Sequence, residues 1–472
     1  MAFAFVQLLI AQNNPCIVSI PDANFKNALL NHNPIIDTNG DGEIQCDEAS
    51  SYTGNLNLDS KYISNLTGID AFTAITQLNC EDNSLISLDI SSNTALQALY
   101  CSGNQLTALD VSANTALKTL FCSYNPLTSL NISSNTALES LYCPNIELTS
   151  LDVSANTALT YLNCSSNYLT SLNVSTNVAL QELYCFNNQL TTLDVSTNTA
   201  LINLDCYSNE LTTLDVSTNT ALVILYCSDN QLTNLDVSTN TLLESLYCSE
   251  NQITSLNTST NTVLEYLYCH SNQLTNLNVN TNLLLRTVLC YNNQLTSINT
   301  GANTNLFNLE CQNNQLTSLD VSTNTVLQWL SCEENQLTSL NIANGNNAII
   351  QGVNAINNPD LTCIKVDNAN YSNTNWINPD FFVKPTGAVW SESCALGTSD
   401  FETFKVTIYP NPTNGMVNLS QTANITIFDI QGRKIAESKN TTSFDLSSQT
   451  AGIYLAKITT EKGKEMIKIV KN

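Results

Sequence analysis

Positive charge is what this 472-residue chain has least of: 15 Lys and Arg stand against 40 Asp and Glu, for a formal charge of −25. From Thr119 to Leu285 there is no Lys or Arg at all. That removes the cationic footprint that phosphate backbones and anionic lipid surfaces require, so nucleic acid is excluded as an expected partner. The imbalance is local, because residues 399–472 hold 9 of the bases and only 7 of the acids, leaving 33 acids against 6 bases before them. Histidine occurs twice, at His32 and His270. With no Gly-x-Ser-x-Gly elbow, phosphate loop or His-Glu-x-x-His, and nothing to select two carboxylates from so many, no enzyme is expected. Long apolar runs are also missing. The longest, Ala2–Ile10 broken by Gln7, is too short to span a bilayer and reads, with Ala11-Gln12 as cleavage site, as a signal peptide over residues 1–11, although the usual basic start is absent.

What the chain has in abundance is repetition. Every twenty-first residue from Cys80 to Cys332 is cysteine, thirteen times without a miss. One unit reads Leu96-x-x-Leu99-x-Cys101-x-x-Asn104, then Leu106-x-x-Leu109-x-Val111-x-x-Asn114, so the same phrase occurs twice per unit. A unit of this length cannot bury a core alone, so successive units must stack and share their apolar faces as a solenoid.

Each half-unit resembles the strand-and-turn motif of leucine-rich repeats, and the resemblance covers residues 56–361. It implies that Leu-x-Cys forms a short parallel strand and that the Asn turns inward to meet backbone groups of neighbouring turns. The form with Cys in the strand resembles a bacterial subtype of the family. Thr, Val and Ser fill the second half, where a helical side would need helix formers, so short parallel strands are expected on both faces. The fold class expected is mainly β, straight or gently twisted. At about 4.8 Å per coil, some fourteen or fifteen coils make a rod roughly 70 Å long.

The thirteen ladder cysteines read as packing. In-register parallel neighbours keep their Cβ atoms about 4.8 Å apart, against roughly 3.8 Å in a disulfide, and no paired Cys-x-x-Cys cluster suggests zinc. Cys16, Cys46, Cys363 and Cys394 lie outside the array. Two cap disulfides are expected, Cys16 to Cys46 and Cys363 to Cys394, each closing a loop of about thirty residues for roughly 3–4 kcal/mol. One coil departs from the rule: after Cys143 the chain reads Pro144-Asn145-Ile146, which removes the inward Asn and predicts a local bulge.

Residues 12–55 precede the array and contain Asp37-Thr38-Asn39-Gly40-Asp41-Gly42-Glu43-Ile44-Gln45-Cys46-Asp47-Glu48. This meets the EF-hand spacing. Asp37, Asn39 and Asp41 offer side-chain oxygens, Gly42 the sharp turn, Glu43 its carbonyl and Glu48 a closing carboxylate. A structural Ca2+ ordering this cap is the expected cofactor, with the affinity of about 10⁻⁴ to 10⁻³ M typical of extracellular modules. Residues 20–25 and 66–72 resemble the N-terminal caps of secreted bacterial leucine-rich-repeat proteins.

After the array, residues 362–398 read as a C-terminal cap and linker. Residues 399–472 carry Tyr409-Pro410-Asn411-Pro412, Phe428-Asp429-Ile430-Gln431-Gly432-Arg433, Ala451-Gly452-Ile453-Tyr454 and a basic end at Lys471-Asn472. These resemble the C-terminal sorting domain of the type IX secretion system. Alternation in Ile425-Thr426-Ile427-Phe428 independently predicts a small β-sandwich. The resemblance implies engagement of the type IX machinery. It also implies a location that is secreted, or attached to the outer-membrane surface after the domain is cleaved.

Candidate binding chemistry lies on outward strand positions. The residue before each ladder cysteine is often aromatic, at Tyr100, Phe121, Tyr142, Tyr184, Tyr226, Tyr247 and Tyr268. Such a stripe suits an extracellular protein or polysaccharide, or else stacks on itself and stabilises the sheet. In the second half-turn the equivalent place holds Asp89, Asp110, Asp152, Asp194, Asp215, Asp236 and Asp320. These should repel unless cations or hydroxyls compensate. A binding or adhesion protein and a passive surface spacer both fit the sequence.

Overall fold

The computed structural model describes residues 16–394, 406–460 and 463–472. The proposed signal segment 1–11 and the linker around residues 397–400 lie outside the described residues. The chain divides into two units between Cys394 and Ala395.

The first unit is the solenoid with its caps. Each coil gives one short strand, such as Ala98–Tyr100 or Ser245–Tyr247, and each strand pairs in parallel with the next at a register of one repeat. Leu246 thus lies between Leu225 and Leu267. The result is a sixteen-stranded parallel sheet running from Gly54–Asn57 to Phe382–Val383. Behind it one continuous core runs from Val18 to Trp390. All thirteen ladder cysteines are free thiols with no exposed surface, filling the place of a small apolar side chain. Burial pushes Cys80, Cys122 and Cys164 up to about 12, so the interior holds thiols and not thiolates.

Strands on the opposite face are fewer. Ser318–Asp320, Ser339–Asn341, Cys363–Lys365 and Val389–Ser391 form a four-stranded parallel sheet. In the earlier coils the described residues on this face give only one bridge, Asp110 with Asn131. The second ladder starts at the C-terminal cap, where Ile364 pairs with the buried Trp390, and runs back through three successive pairings to end at Ser318–Asp320. Composition favours extended backbone on both faces, but ladder formation also needs close registry, which the cap supplies at one end only.

Asparagine joins coil to coil. In the first half-turn, Asn230 Nδ2 donates to the carbonyls of Cys206 in the preceding coil and of Cys227 and Ser228 in its own. Its Oδ1 accepts from the Leu211 amide of the preceding coil at 3.0 Å. In the second half-turn, Asn240 Nδ2 donates to Val216 and Asn219 carbonyls of the preceding coil, both at 2.9 Å. Its Oδ1 has no partner, and ten second-half asparagines share this condition. Two escape it: Thr258 and Thr300 replace the usual Val or Ile, and their hydroxyls donate to Asn282 and Asn324 Oδ1 at 3.0 and 2.9 Å.

Where Ile146 replaces the inward Asn the bulge appears. Ile146 is fully buried, and Glu147 after it and Thr128 in the coil before take positive φ of 64° and 52° at positions where the other coils do not, whereas the 55° of Asn145 belongs to the turn that every coil repeats. The Leu127 amide, deprived of an Asn acceptor, turns to the Asn125 carbonyl at 2.9 Å.

Both ends of the core are closed. At the N-terminus helix Ala23–Leu30 is capped by Asp22, whose Oδ1 accepts from Asn24 and Phe25 amides and whose Oδ2 accepts from Ser64 and Asn65, tying the helix to the first coil. Cys16 is bridged to Cys46. At the C-terminus Cys363 is bridged to Cys394, and Trp376 stacks on Phe382 at 5.1 Å and meets Trp390 edge-on.

The second unit has its own core around Val417, Ile425, Ile427, Ala456 and Ile458. Its five strands form one connected antiparallel sheet. Where the sequence predicts a small sandwich the structure has this single sheet, because the long strand Met416–Phe428 passes through bulges and pairs with three neighbours.

The two threonines provide a test of what an orphaned carbonyl costs. Thr300→Val should lower stability by about 1 kcal/mol, and Thr258→Val likewise, since each strands a buried Asn oxygen. Denaturant midpoints of the full chain measure this, and midpoints equal to or above the parent's would show that the orphaned oxygen carries no cost.

Candidate functional site

The strand face of the large sheet carries the seven aromatic candidates, all half-buried. Side chains alternate across a strand, so the residue before each buried cysteine points away from the core. At the spacing of a parallel sheet, successive rings cover one another. Tyr100, Phe121 and Tyr142 form one cluster with ring centroids 5.1 Å apart at each step. Tyr226 stacks on Tyr247 at 4.1 Å, and Tyr247 meets Tyr268 edge-on at 4.5 Å. Asn163, Asp205 and Leu289 interrupt or end the stripe. It is therefore a set of clusters, with Tyr184 standing between two gaps.

Two aromatic contacts were not evident from the repeat. Tyr184 packs 5.5 Å from Tyr161, which stands one outward position earlier in its strand, and His270 stacks on Tyr291 at 4.2 Å just after the ladder cysteines. The signal for the second pair was the 21-residue spacing itself, although Phe186 and Tyr207 share that column and spacing, so spacing alone did not single it out. For the first it was alternation, since positions two apart share a face.

The polar centre of this face is Asp205. It lies where the stripe breaks, between Tyr184 and Tyr226, and accepts from the Tyr207 amide at 3.1 Å. Burial lifts its carboxyl to about 6. Nearby, Tyr184 Oη donates to Glu182 at 2.7 Å and accepts from Asn203 at 2.9 Å. Burial, then Tyr247, raise Tyr226 to about 12. Both hydroxyls stay protonated at neutral pH, with the Tyr184 proton engaged by Glu182.

The acidic column of the second half-turn is used locally. Asp110, Asp194, Asp215 and Asp236 each accept, through Oδ1, the amide of the serine two residues on at 2.9 Å. Serine bonds hold these carboxyls below the usual range, hydroxyl first at Asp110, Asp194 and Asp236 and amide first at Asp215. Asp89 and Asp152 do the same, as does Asp320, where burial opposes the effect. The stacked charges are compensated by turn amides and hydroxyls.

In the N-terminal loop the candidate calcium ligands lie within a few residues of one another and are engaged with loop donors. Asp37 accepts from Gly40 and Gly42 amides, Asp41 from the Glu43 amide and Gln45 Nε2, and Asn39 Oδ1 from the Asp41 amide. Glu43 pairs with Lys26 at 2.6 Å, leaving its carbonyl for the role expected of it. Glu48 is buried. Its Oε1 accepts from the Thr38 amide and hydroxyl, and its Oε2 from Gln45, as the capping box of helix Cys46–Ser51. Burial works against the Glu48 charge, but these bonds outweigh it and hold the carboxyl below its usual range. The donors are of the kind a hard cation takes. Among the described residues no three His, Cys, Asp or Glu side chains converge as a cage, so the loop closes on its own amides.

Comparison with known proteins places both units. Residues 407–472 match the secretion system C-terminal sorting domain. The solved functional domain of InlJ from Listeria monocytogenes, described as including a cysteine ladder, is similar at 27% identity and a TM-score of 0.60, over 91% of this chain and 93% of that one. An internalin, inlF, of the same species shares the fold at 21% identity and TM-score 0.56, over 69% and 94% of the two chains. A leucine-rich-repeat protein of Leptospira interrogans does so at 23% and 0.53, over 66% and 89%. None of the curated proteins compared with the chain matches it. No helix among the described residues is long and apolar enough to cross a membrane. The sorting domain marks the protein as secreted or attached to the cell surface, and implies the type IX machinery as a partner.

Asp205 gives the strand face a pH signature. A free Asp titrates near 3.9, so between about pH 4 and pH 6 the folded chain holds a proton that the unfolded chain has lost. That contribution to stability is complete at low pH and is lost as pH rises through 6. Asp205→Asn should therefore melt above the parent at pH 7.5, with the gap closing by about pH 4.5; a gap independent of pH would refute the assignment.

Proposed function

We propose that this secreted or surface-attached leucine-rich-repeat protein is a binding or adhesion protein and not an enzyme. Its site is the strand face from Tyr184 to Tyr291, and its partner an extracellular protein. The observation that carries this reading is the cluster Tyr226, Tyr247 and Tyr268, half-exposed on a rigid sheet with Asp205 at its edge. Aromatic rings on a fixed scaffold offer large contact area with little entropy to lose, and their phenol groups add polar contacts at its rim. A polysaccharide is the other ligand that stacked rings suit. Ring-on-ring stacking favours a second reading, a passive surface spacer, because each such pair already contributes about 0.2–1 kcal/mol to the sheet.

Purified full chain is screened against extracellular proteins and glycans. A protein ligand is expected, and Tyr226→Ser with Tyr247→Ser and Tyr268→Ser should weaken it at least about tenfold. Tyr247→Phe, which keeps the ring, should leave folding intact and separate contact from stability. A glycan ligand alone would replace the protein reading, and no ligand would favour the spacer.

Calcium belongs to the same proposal, as a structural ion of the loop from Asp37 to Glu48. Binding would compete with the amides that Asp37, Asp41 and Glu48 now accept, which suits a weak, millimolar site. Melting of the full chain in millimolar calcium should exceed that in EDTA. Coincident curves, with no heat on calorimetric titration, would remove the ion from the account.

A further inference from the structure

The coils share one core but not one flank. Directly before the first Leu of each unit stands alanine in seven consecutive coils, from Ala95 to Ala221, and after that come Leu242, Val263, Leu284, Asn305 and Val326. Leu242, Leu284 and Val326 are 52%, 43% and 41% exposed, and Phe307 beside them is 40% exposed. An isolated exposed apolar residue is ordinary, but a column of them that begins at one coil and replaces alanine is a surface feature.

A cavity of about 550 Å³ opens on this flank, lined by Tyr266, Arg286, Thr287, Asn305, Phe307 and Val326. Arg286 is the one Lys or Arg between Lys118 and Lys365. Its Nε pairs with Glu265 at 2.9 Å, and its two terminal nitrogens have no partner among the described residues. The guanidinium thus keeps one edge free, and that edge has the fork geometry that holds a carboxylate through two parallel hydrogen bonds.

The surrounding charge selects the ligand. Glu265 and the neighbouring Glu244, in an array so acidic, disfavour a doubly charged phosphate more than a singly charged carboxylate. The two rings and Val326 call for an apolar body beside that carboxylate, and apart from Arg286 the polar groups of the lining are the Tyr266 hydroxyl, Thr287 and Asn305, few for a ligand rich in hydroxyls. We propose that this flank captures the C-terminal carboxylate of a peptide or protein ending in an aromatic or branched aliphatic residue. The site adjoins the Tyr226 cluster, since Tyr266 shares a strand with Tyr268, but it goes beyond the strand-face reading: its carboxylate-holding Arg286 and its Phe307 lie outside that cluster, and changes at Tyr226 or Tyr247 touch none of its lining residues.

Calorimetric titration of the full chain with acetyl-Ala-Ala-Phe as free acid, with its C-terminal amide and with galacturonic acid tests the proposal. The free acid should bind about tenfold or more tighter than the amide, and Arg286→Gln should reduce it to the amide's level. Phe307→Ser should weaken the acid about fivefold or more without shifting the melting curve. Equal affinity for acid and amide, no binding of the acid at about 10 mM, indifference to Arg286→Gln, or tighter binding of galacturonate would each overturn it.

Discussion

Burying a turn is the constraint on which this architecture rests. A coil of twenty-one residues must reverse direction repeatedly, and at each reversal carbonyls and amides leave the strand ladder while still shielded from water. Leaving such a group unpaired costs about 1–3 kcal/mol, so an array of this length could not tolerate the sum. A buried asparagine in each half-turn supplies the missing partner, reaching the coil before it as well as its own. That reach enforces the period. Inserting one residue would move the amide off two carbonyls at once and turn the leucines toward solvent, and the one coil lacking its Asn shows the local result in the positive φ angles of Thr128 and Glu147.

The repeat made the interior legible. Leu99, Cys101, Asn104, Leu106 and Val111 sit inside because any in-register stack that buries one buries all, and thirteen copies average out local exceptions. The sorting domain was legible for a different reason, since its turns carry distinctive residues such as Tyr409-Pro410-Asn411-Pro412. The second sheet was legible only in part. Thr, Val and Ser do favour extended backbone, yet whether neighbouring coils lie close enough to exchange ladder bonds depends on the cap around Trp390, which no single unit encodes. The calcium loop shows the opposite difficulty. Its spacing is that of an EF-hand, but the same oxygens that could hold a cation also satisfy turn amides, and composition does not choose between them.

Function in such a chain is written in departures from the repeat. The core fixes about half the positions of each coil, and the remaining ones can vary without cost to stacking, which frees the surface to differ from one coil to the next. Asp205 breaks a row of tyrosines, Arg286 breaks a long interval without positive charge, and Leu242 ends a run of alanines. None of these changes is needed by the core. The tyrosine stripe, by contrast, repeats with the fold, and part of its stabilising role follows from that repetition alone.

Export adds a condition that the cysteines meet in two ways. Outside the cell thiols tend to oxidise, and thirteen adjacent ones would cross-link in many wrong pairings if they were reachable. The ladder avoids this by burial: oxidation and disulfide exchange require the thiolate, and thiols that burial pushes well above their ordinary range do not supply it. The four cysteines of the caps lie where the core ends and stacking cannot protect them, and there the chain uses them as covalent closures instead. The same element is inert where the repeat is complete and bonded where the repeat stops, so its role follows from position in the stack.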